Sequence, residues 1–294
     1  MNADKLKNII LKKTCGNNTI SAQLYQMFFF ERMLDRISKS KYKNNIILKG
    51  GLLLSSIIGE DMRTTKDMDT TLKSITLKKE NIISIMQEII NIDVGDNVNY
   101  EIIDIKDIRE EDEYGGFKIN ILGKLEKLKV NMFIEFTTGD KITPKEMEYY
   151  YNCIFENKKI PILAYTIETI ISEKFETIVS RNITNTRLKD FYDIGILLSG
   201  KYRNYNEKIL IEAIKNTFKK RNTTFDISEI KRTIELIKND TYLNKSWQNY
   251  QEKFTWAKPL TYESIITELE ELIILIEEKQ KMKNNFIDDA SAKI

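Results

Sequence analysis

Two aspartates at a spacing of two, Asp67 and Asp69 in KDMDT, follow the glycine pair Gly50-Gly51, with Asp67 sixteen residues after Gly51. On an extended strand alternate side chains leave by the same face, so both carboxylates point one way while Met68 packs behind them. Two hard oxygen donors of this kind suit Mg²⁺, which is held by one or two carboxylates together with the phosphates of a substrate. The glycine pair marks a strand-to-helix turn in ILKGGLLLSS, where backbone N–H groups and the positive end of a helix can approach a phosphate. Ser55, one turn into that helix, is near enough to add a hydroxyl. Lys49 is read either as a further phosphate contact or as a solvated strand end. The polar segment Arg63-Thr64-Thr65-Lys66 leads into the acids, and Arg63 either neutralises phosphate charge or belongs to a solvated loop. The chemistry these residues suit is the holding of Mg²⁺ beside a nucleoside triphosphate.

A third acid follows from strand alternation. In KVNMFIEFTTGD, Val130, Met132, Ile134 and Phe136 share one face and leave Asn131, Phe133 and Glu135 on the other. A carboxylate between Ile134 and Phe136 is costly to bury without a compensating cation. Glu135 is therefore either a solvent-facing strand residue or a third metal ligand that also accepts the proton of an attacking hydroxyl. Further along, Ile167, Ile170, Ile171, Phe175 and Ile178 form one helical stripe on which Lys174 also lies. Asp190 shares a face with Ile194, Leu197 and Leu198, with Asp193 close by. Two readings stay open: a Lys174–Asp190 ion pair that only fixes helix packing, or a lysine reaching the triphosphate and oriented by Asp190.

The composition removes several classes of chemistry. The chain has 294 residues and no histidine, which excludes Ser-His-Asp and Cys-His nucleophilic sites and His-ligated zinc. Cys15 and Cys153 form no motif, so a reducing, disulfide-free setting is expected. No stretch approaches the roughly 18 apolar residues of a membrane span, and the N-terminus lacks a signal-peptide pattern, so a cytoplasmic protein with no membrane partner is expected. A net charge of +2 does not identify a nucleic-acid binder. Residues 201–232 carry nine Lys or Arg against four acids, interleaved with Tyr202, Tyr205, Phe218 and Phe225. That run is read as a solvated helix face or as a surface for RNA, where phosphate contact and base stacking use these residue types.

The positioning elements follow from periodicity. Helical spacing predicts helices at 19–38, 52–58 and 78–92, with strands at 46–48, 68–73, 98–107, 116–122 and 127–137. From Thr166 the pattern turns helical, with segments at 166–181, 188–199, 206–220, 228–239 and 261–281, followed by a polar tail expected to fray. The expected class is α+β, bilobed: a mixed α/β lobe over residues 1–160 with a largely non-parallel sheet, and a helical lobe over 161–294, the transition lying near Pro161.

In this order the motifs resemble the AbiEii/MenT-type nucleotidyltransferase toxins, a branch of the DNA polymerase beta nucleotidyltransferase superfamily. The resemblance rests on Lys49-Gly50-Gly51 with Ser55, Arg63-x-Thr65-x-Asp67-x-Asp69, Phe133-Ile134-Glu135-Phe136 followed by Thr138-Gly139-Asp140 and Pro144, Glu173-Lys174, and Arg187-x-Lys189-Asp190-x-x-Asp193. It runs from Lys49 to about Gly200. It implies a nucleotidyltransferase lobe and a helical lobe with the active site between them, and a toxin of a bacterial toxin–antitoxin or phage-defence operon. Its implied genetic partner is a winged-helix antitoxin that need not bind the toxin. Family members act on nucleotides, and some extend tRNA 3′ ends. By carry-over, Asp67 and Asp69 bind metal, Lys174 binds phosphates and Asp190 supports catalysis. Two features depart from the pattern: the gap from Gly51 to Asp67 is longer than usual, and the third acid is Glu135 where many relatives have Asp. The expected activity is Mg²⁺-dependent transfer of NMP from an NTP to an RNA 3′ hydroxyl, with tRNA as the expected acceptor. The alternatives are transfer to a protein or small molecule such as an antibiotic, or a nucleotide-binding regulator without turnover.

Overall fold

The computed structural model describes residues 1–59, 65–108 and 115–291, with Lys201 and residues 282–291 described by their backbone alone. The chain divides into two compact units, Met1–Asp140 with Lys145–Tyr165, and Lys141–Pro144 with Thr166–Ile294.

The first unit contains α1 (Ala3–Thr14), α2 (Asn18–Lys39), β1 (Ile46–Lys49), α3 (Gly50–Ile58), β2 (Asp67–Leu72), α4 (Lys79–Ile90), β3 (Val98–Ile108), β4 (Gly116–Leu125), β5 (Leu128–Thr137), β6 (Met147–Asn152) and β7 (Lys159–Ala164). The strands form one seven-stranded mixed sheet in the order β3-β4-β5-β2-β1-β7-β6. β2/β5 and β1/β7 are parallel, and the other pairs are antiparallel. Register explains how one sheet separates core from chemistry. Met68, Ile134 and Ile119 stand opposite one another across β2, β5 and β4, and all are fully buried. The adjacent row, Asp69, Glu135 and Lys118, must then project from the other face. Burying each large apolar side chain of the first row contributes roughly 1.5–3 kcal/mol, so a one-residue slip that reversed the faces would be strongly unfavourable.

α2 begins where the Asn17 side chain accepts the N–H groups of Thr19 and Ile20. Its apolar residues are buried, yet so are Glu31, Arg32, Asp35 and Arg36. Arg36 donates from both terminal nitrogens to Asp96, at 2.7 and 2.8 Å, and to the Val98 carbonyl at 2.7 Å, tying the start of β3 to the helix. Arg32 donates to Glu156 at 2.8 Å, Lys158 to Asp35 at 2.5 Å, and Glu31 accepts the Ile154 N–H at 2.5 Å, so the β6–β7 connection is held by the same helix.

The second unit contains α5 (Ile167–Arg181), α6 (Leu188–Leu198), α7 (Glu207–Lys220), α8 (Ile227–Asn239), α9 (Thr241–Lys253) and α10 (Tyr262–Ser291). Thr166, Asn206, Asp226 and Asp240 cap α5, α7, α8 and α9 with side-chain acceptors. Lys141–Pro144 belongs here because Thr143 is built into it: its N–H donates to Thr169 Oγ1 at 3.0 Å, its carbonyl accepts from Thr166 Oγ1 at 2.8 Å, and its hydroxyl accepts from Asn216 at 3.0 Å.

The predicted strands and helices recur within a few residues, and the sequence pattern missed α1, β6, β7 and α9. Pro161 argues against a strand. It is accommodated because β7 pairs with β1 only at Leu163 and Ala164, beyond the missing N–H. α10 also continues through Ser291, where a fraying tail was expected. Cys15 and Cys153 are free thiols. Among the described residues no helix is long and apolar enough to cross a membrane.

Candidate active site

The sheet register draws one row of charge across four strands: Lys118 on β4, Glu135 on β5, Asp69 on β2 and Lys49 on β1. Asp67 lies two residues before Asp69 on the same face, and both are half-buried while Met68 is fully buried behind them. Three carboxylates therefore lie on one face, as alternation along β2 and β5 predicts.

Asp69 rests against the glycine turn. Gly50 has φ +67°, and a Cβ placed on it would lie 1.9 Å from Asp69 Oδ2, so the carboxylate occupies the space that any side chain would need. The Gly51 N–H donates to the same carboxylate. The turn that the sequence suggests for phosphate thus already positions an acid. Burial pushes the Asp69 carboxyl above its usual range, repulsion from Glu135 and Asp67 pushes further, and Lys49 pulls against them.

Lys49 is buried, not a solvated strand end. Its ammonium donates to Thr137 Oγ1 at 2.7 Å and forms an ion pair with Asp140, above the ring of Tyr165. Burial alone would raise the Asp140 carboxyl, but the charge and hydrogen bond of Lys49, with the hydroxyls of Tyr165 and Thr71, hold it down to about 2. Asp140 was legible only as part of a motif, and its partnership with Lys49 is tertiary. Ser55 is buried too, and its hydroxyl donates to the Gly51 and Leu52 carbonyls, both at 3.0 Å, so it faces its own helix. Thr65 donates to the Asp67 carbonyl at 3.1 Å and shapes the entry into β2. Arg63 lies outside the described residues.

Lys118 is the residue that the sequence reading passed over. Its Nζ donates to Glu135 Oε1 at 2.9 Å and approaches Asp67 Oδ1 at 3.4 Å, and it sits 4.9 Å from the centre of the Phe133 ring. Burial would lower the pKa of this ammonium, but Glu135 and Asp67 outweigh it and keep it charged. A signal was present: in GFKINILG, Lys118 alternates with Phe117 and Ile119 in mid-strand.

Asp67 and Asp69 suit a divalent cation by donor chemistry, since both are hard oxygen ligands and the repulsion raising Asp69 is what a dication would relieve. Glu135 is committed to Lys118. Among the described residues no three acidic or thiol side chains stand grouped in position to hold one metal ion.

The helical unit brings Lys174 and Asp190 together. Lys174 Nζ donates to Asp190 Oδ1 at 2.6 Å and lies 3.2 Å from Asp193 Oδ2, while Arg187 Nε donates to Asp190 Oδ2 at 2.7 Å. Burial would raise the Asp190 carboxyl, yet Lys174 and Arg187 together lower it. Lys174 keeps 17% of its side chain exposed while Asp190 keeps 1%, so the lysine is the member of the pair that solvent reaches. In the basic run, Phe218 is fully buried and packs edge-on against Phe225, which removes it from the residues available for stacking. Arg221 is engaged by Glu176 at 2.6 Å and Lys231 by Glu277 at 2.7 Å.

Among solved structures, the Helicobacter pylori protein JHP933 is similar over 92% of this chain and 97% of its own, at 16% identity and a TM-score of 0.46. An antigenic nucleotidyltransferase-like protein from Paracoccidioides brasiliensis is similar over 79% of this chain and 94% of its own, at 15% identity and a TM-score of 0.37. No curated protein sequence matches. The family model described as nucleotidyl transferase AbiEii toxin, type IV toxin–antitoxin system, matches residues 32–268, which include Asp67, Asp69, Glu135, Lys174 and Asp190. The chain therefore belongs to the AbiEii nucleotidyltransferase toxin family.

Proposed function

We propose that this toxin transfers NMP from an NTP to the 3′ hydroxyl of an RNA, with tRNA as the acceptor, in a Mg²⁺-dependent reaction that arrests growth during phage defence. The observation that carries the reading is the placement of Asp67 and Asp69 on one sheet face, beside Glu135, with Asp69 seated on the Gly50-Gly51 turn. The hydroxyl oxygen attacks the α-phosphorus, the bond from that phosphorus to the bridging oxygen breaks, pyrophosphate departs, and the hydroxyl proton passes to solvent through a site carboxylate. Asp67 and Asp69 would hold the metal. When bound, it would acidify the hydroxyl and offset phosphate charge. Lys174, oriented by Asp190, would offset charge on the leaving phosphates. The remaining exposed basic side chains of residues 201–232 offer phosphate contacts for RNA. The genetic partner would be a winged-helix antitoxin acting without obligatory binding, and the compartment would be the cytoplasm.

The test incubates purified protein with Mg²⁺, total RNA and each labelled NTP in turn, beside Asp69→Ala. Label entering tRNA-sized bands with wild type alone is expected. Label on protein or a small molecule would move the acceptor elsewhere, and a folded Asp69→Ala protein that transfers at the wild-type rate would overturn the site assignment.

A further inference from the structure

Lys118 stands where the acidic face needs a cation. Glu135 and Asp69 are direct neighbours across β5 and β2, and Asp67 is two residues from Asp69 on the same strand face. The sheet places Lys118 opposite Glu135, so the strand positions its ammonium without any loop to set it. Its contacts at 2.9 Å to Glu135 and 3.4 Å to Asp67 span the two outer acids and leave Asp69 to the glycine turn. A lysine 30% exposed, flanked by an aromatic ring and held by two carboxylates, is a fixed charge and not a solvated strand residue.

We propose that Lys118 is a tethered cation of the catalytic face, neutralising Glu135 and competing with a divalent ion for Asp67, so that Glu135 positions Lys118 and does not serve as a metal ligand. The inference rests on Asp67 and Asp69 being the metal-binding pair. Its consequence is an order of events. A bare divalent ion meets a site whose charge is already partly balanced and binds weakly. An ion arriving on a triphosphate brings negative charge that Lys118 can meet when Asp67 turns to the metal. Glu135 then keeps the ammonium on this face throughout.

The test titrates Mn²⁺ into the full chain by calorimetry without nucleotide, for wild type, Lys118→Met, Lys118→Gln and Asp69→Asn, with thermal melting to verify folding. A unit positive charge a few ångströms from a dication is worth enough that removing it should tighten Mn²⁺ binding about tenfold or more. Both Lys118 variants are expected to show that gain, and Asp69→Asn to lose binding. With Mn²⁺ as ATP·Mn²⁺, the gain should shrink or reverse, since Lys118 then loses a favourable contact. A merely structural lysine would change the melting temperature and leave Mn²⁺ affinity where it was. Unchanged or weakened Mn²⁺ binding in the folded Lys118 variants, with binding still lost in Asp69→Asn, overturns the inference alone. If Mn²⁺ binds no variant, or Asp69→Asn binds it as wild type does, the metal-pair reading fails and this inference with it. Should Lys118→Met not fold, Lys118→Gln, which keeps a polar donor towards Glu135, decides the question.

Discussion

Replacing Gly50 by alanine should disable the protein through one methyl group. Two effects separate cleanly. Gly50 has φ +67°, and an L-residue held in that region costs about 1–2 kcal/mol. The added Cβ would also lie 1.9 Å from Asp69 Oδ2 and 2.8 Å from Asp69 Cβ, so the Asp69 carboxylate must retreat by about 1.5 Å to reach ordinary contact. Misplacing a catalytic group by about 1 Å costs on the order of a hundredfold in rate. Gly50→Ala is thus expected to keep its fold, to melt a few degrees lower, and to transfer label from NTP at roughly one hundredth of the wild-type rate. Gly59→Ala is the control: Gly59 also has positive φ, +109°, but among the described residues nothing lies within 4 Å of its added Cβ. It should lose stability without losing rate. Initial rates of label transfer and circular-dichroism melts measure both quantities. A Gly50→Ala protein transferring near the wild-type rate, or a Gly59→Ala protein as impaired as Gly50→Ala, would refute the contact argument.

Lys49→Met leaves Asp140, whose side chain is 18% exposed, without its ammonium, and breaking such a pair costs about 3–5 kcal/mol; urea denaturation should show that loss, and a cost below about 1 kcal/mol would return Lys49 to an expendable role. Glu31 is buried, and desolvation, only partly offset by the Ile154 N–H and Arg32, pushes its carboxyl up to about 8 in the folded state. Because the folded value lies above the unfolded one, its stability contribution is full below the ordinary glutamate range and is lost as pH rises through about 8. Melting temperatures measured from pH 5 to 8.5 should therefore fall more steeply for wild type than for Glu31→Gln, and parallel curves would show that Glu31 ionises normally. Lys174→Met should lower transfer by about a hundredfold or more, with partial recovery in Lys174→Arg, and wild-type transfer by Lys174→Met would leave the Lys174–Asp190 pair a packing device.

Local order was readable in most elements that bury one face, although α1, which buries Leu6 and Ile10, was missed. The alternation in β2, β4 and β5 and the helical stripes of α2 and α5 each repeat the period of the structure they form. β6 escaped because the exposed Tyr150 stands between Tyr149 and Tyr151, so three consecutive tyrosines mask the alternation of Met147, Tyr149 and Tyr151 with outward-facing residues. β7 escaped because Pro161 contradicts a strand until its partner's short reach is known. In the candidate site, Asp67, Asp69 and Glu135 were legible because same-face acids on a strand are unusual in themselves. Ser55 and Lys49 were legible as polar residues beside the glycines, but not their commitments, since a hydroxyl turned to its own helix and an ammonium paired 91 residues away leave no local mark.

The sequence alone determined the chemistry available. With no histidine it required carboxylates, amines, hydroxyls and backbone amides to do the work, and the spacing of two in Asp67-Met68-Asp69 placed two of those carboxylates on one face of any strand they formed. Tertiary structure decided which charges meet. Lys118 opposes Glu135, and Glu135 opposes Asp69, only because β4, β5 and β2 are neighbours in a particular register. Gly50 faces Asp69 only because β1 runs antiparallel beside β2. Strand order and register are set by burying the apolar row of Met68, Ile134 and Ile119 on the opposite face. That cost is collective over the sheet, which is why no window of the sequence contains it.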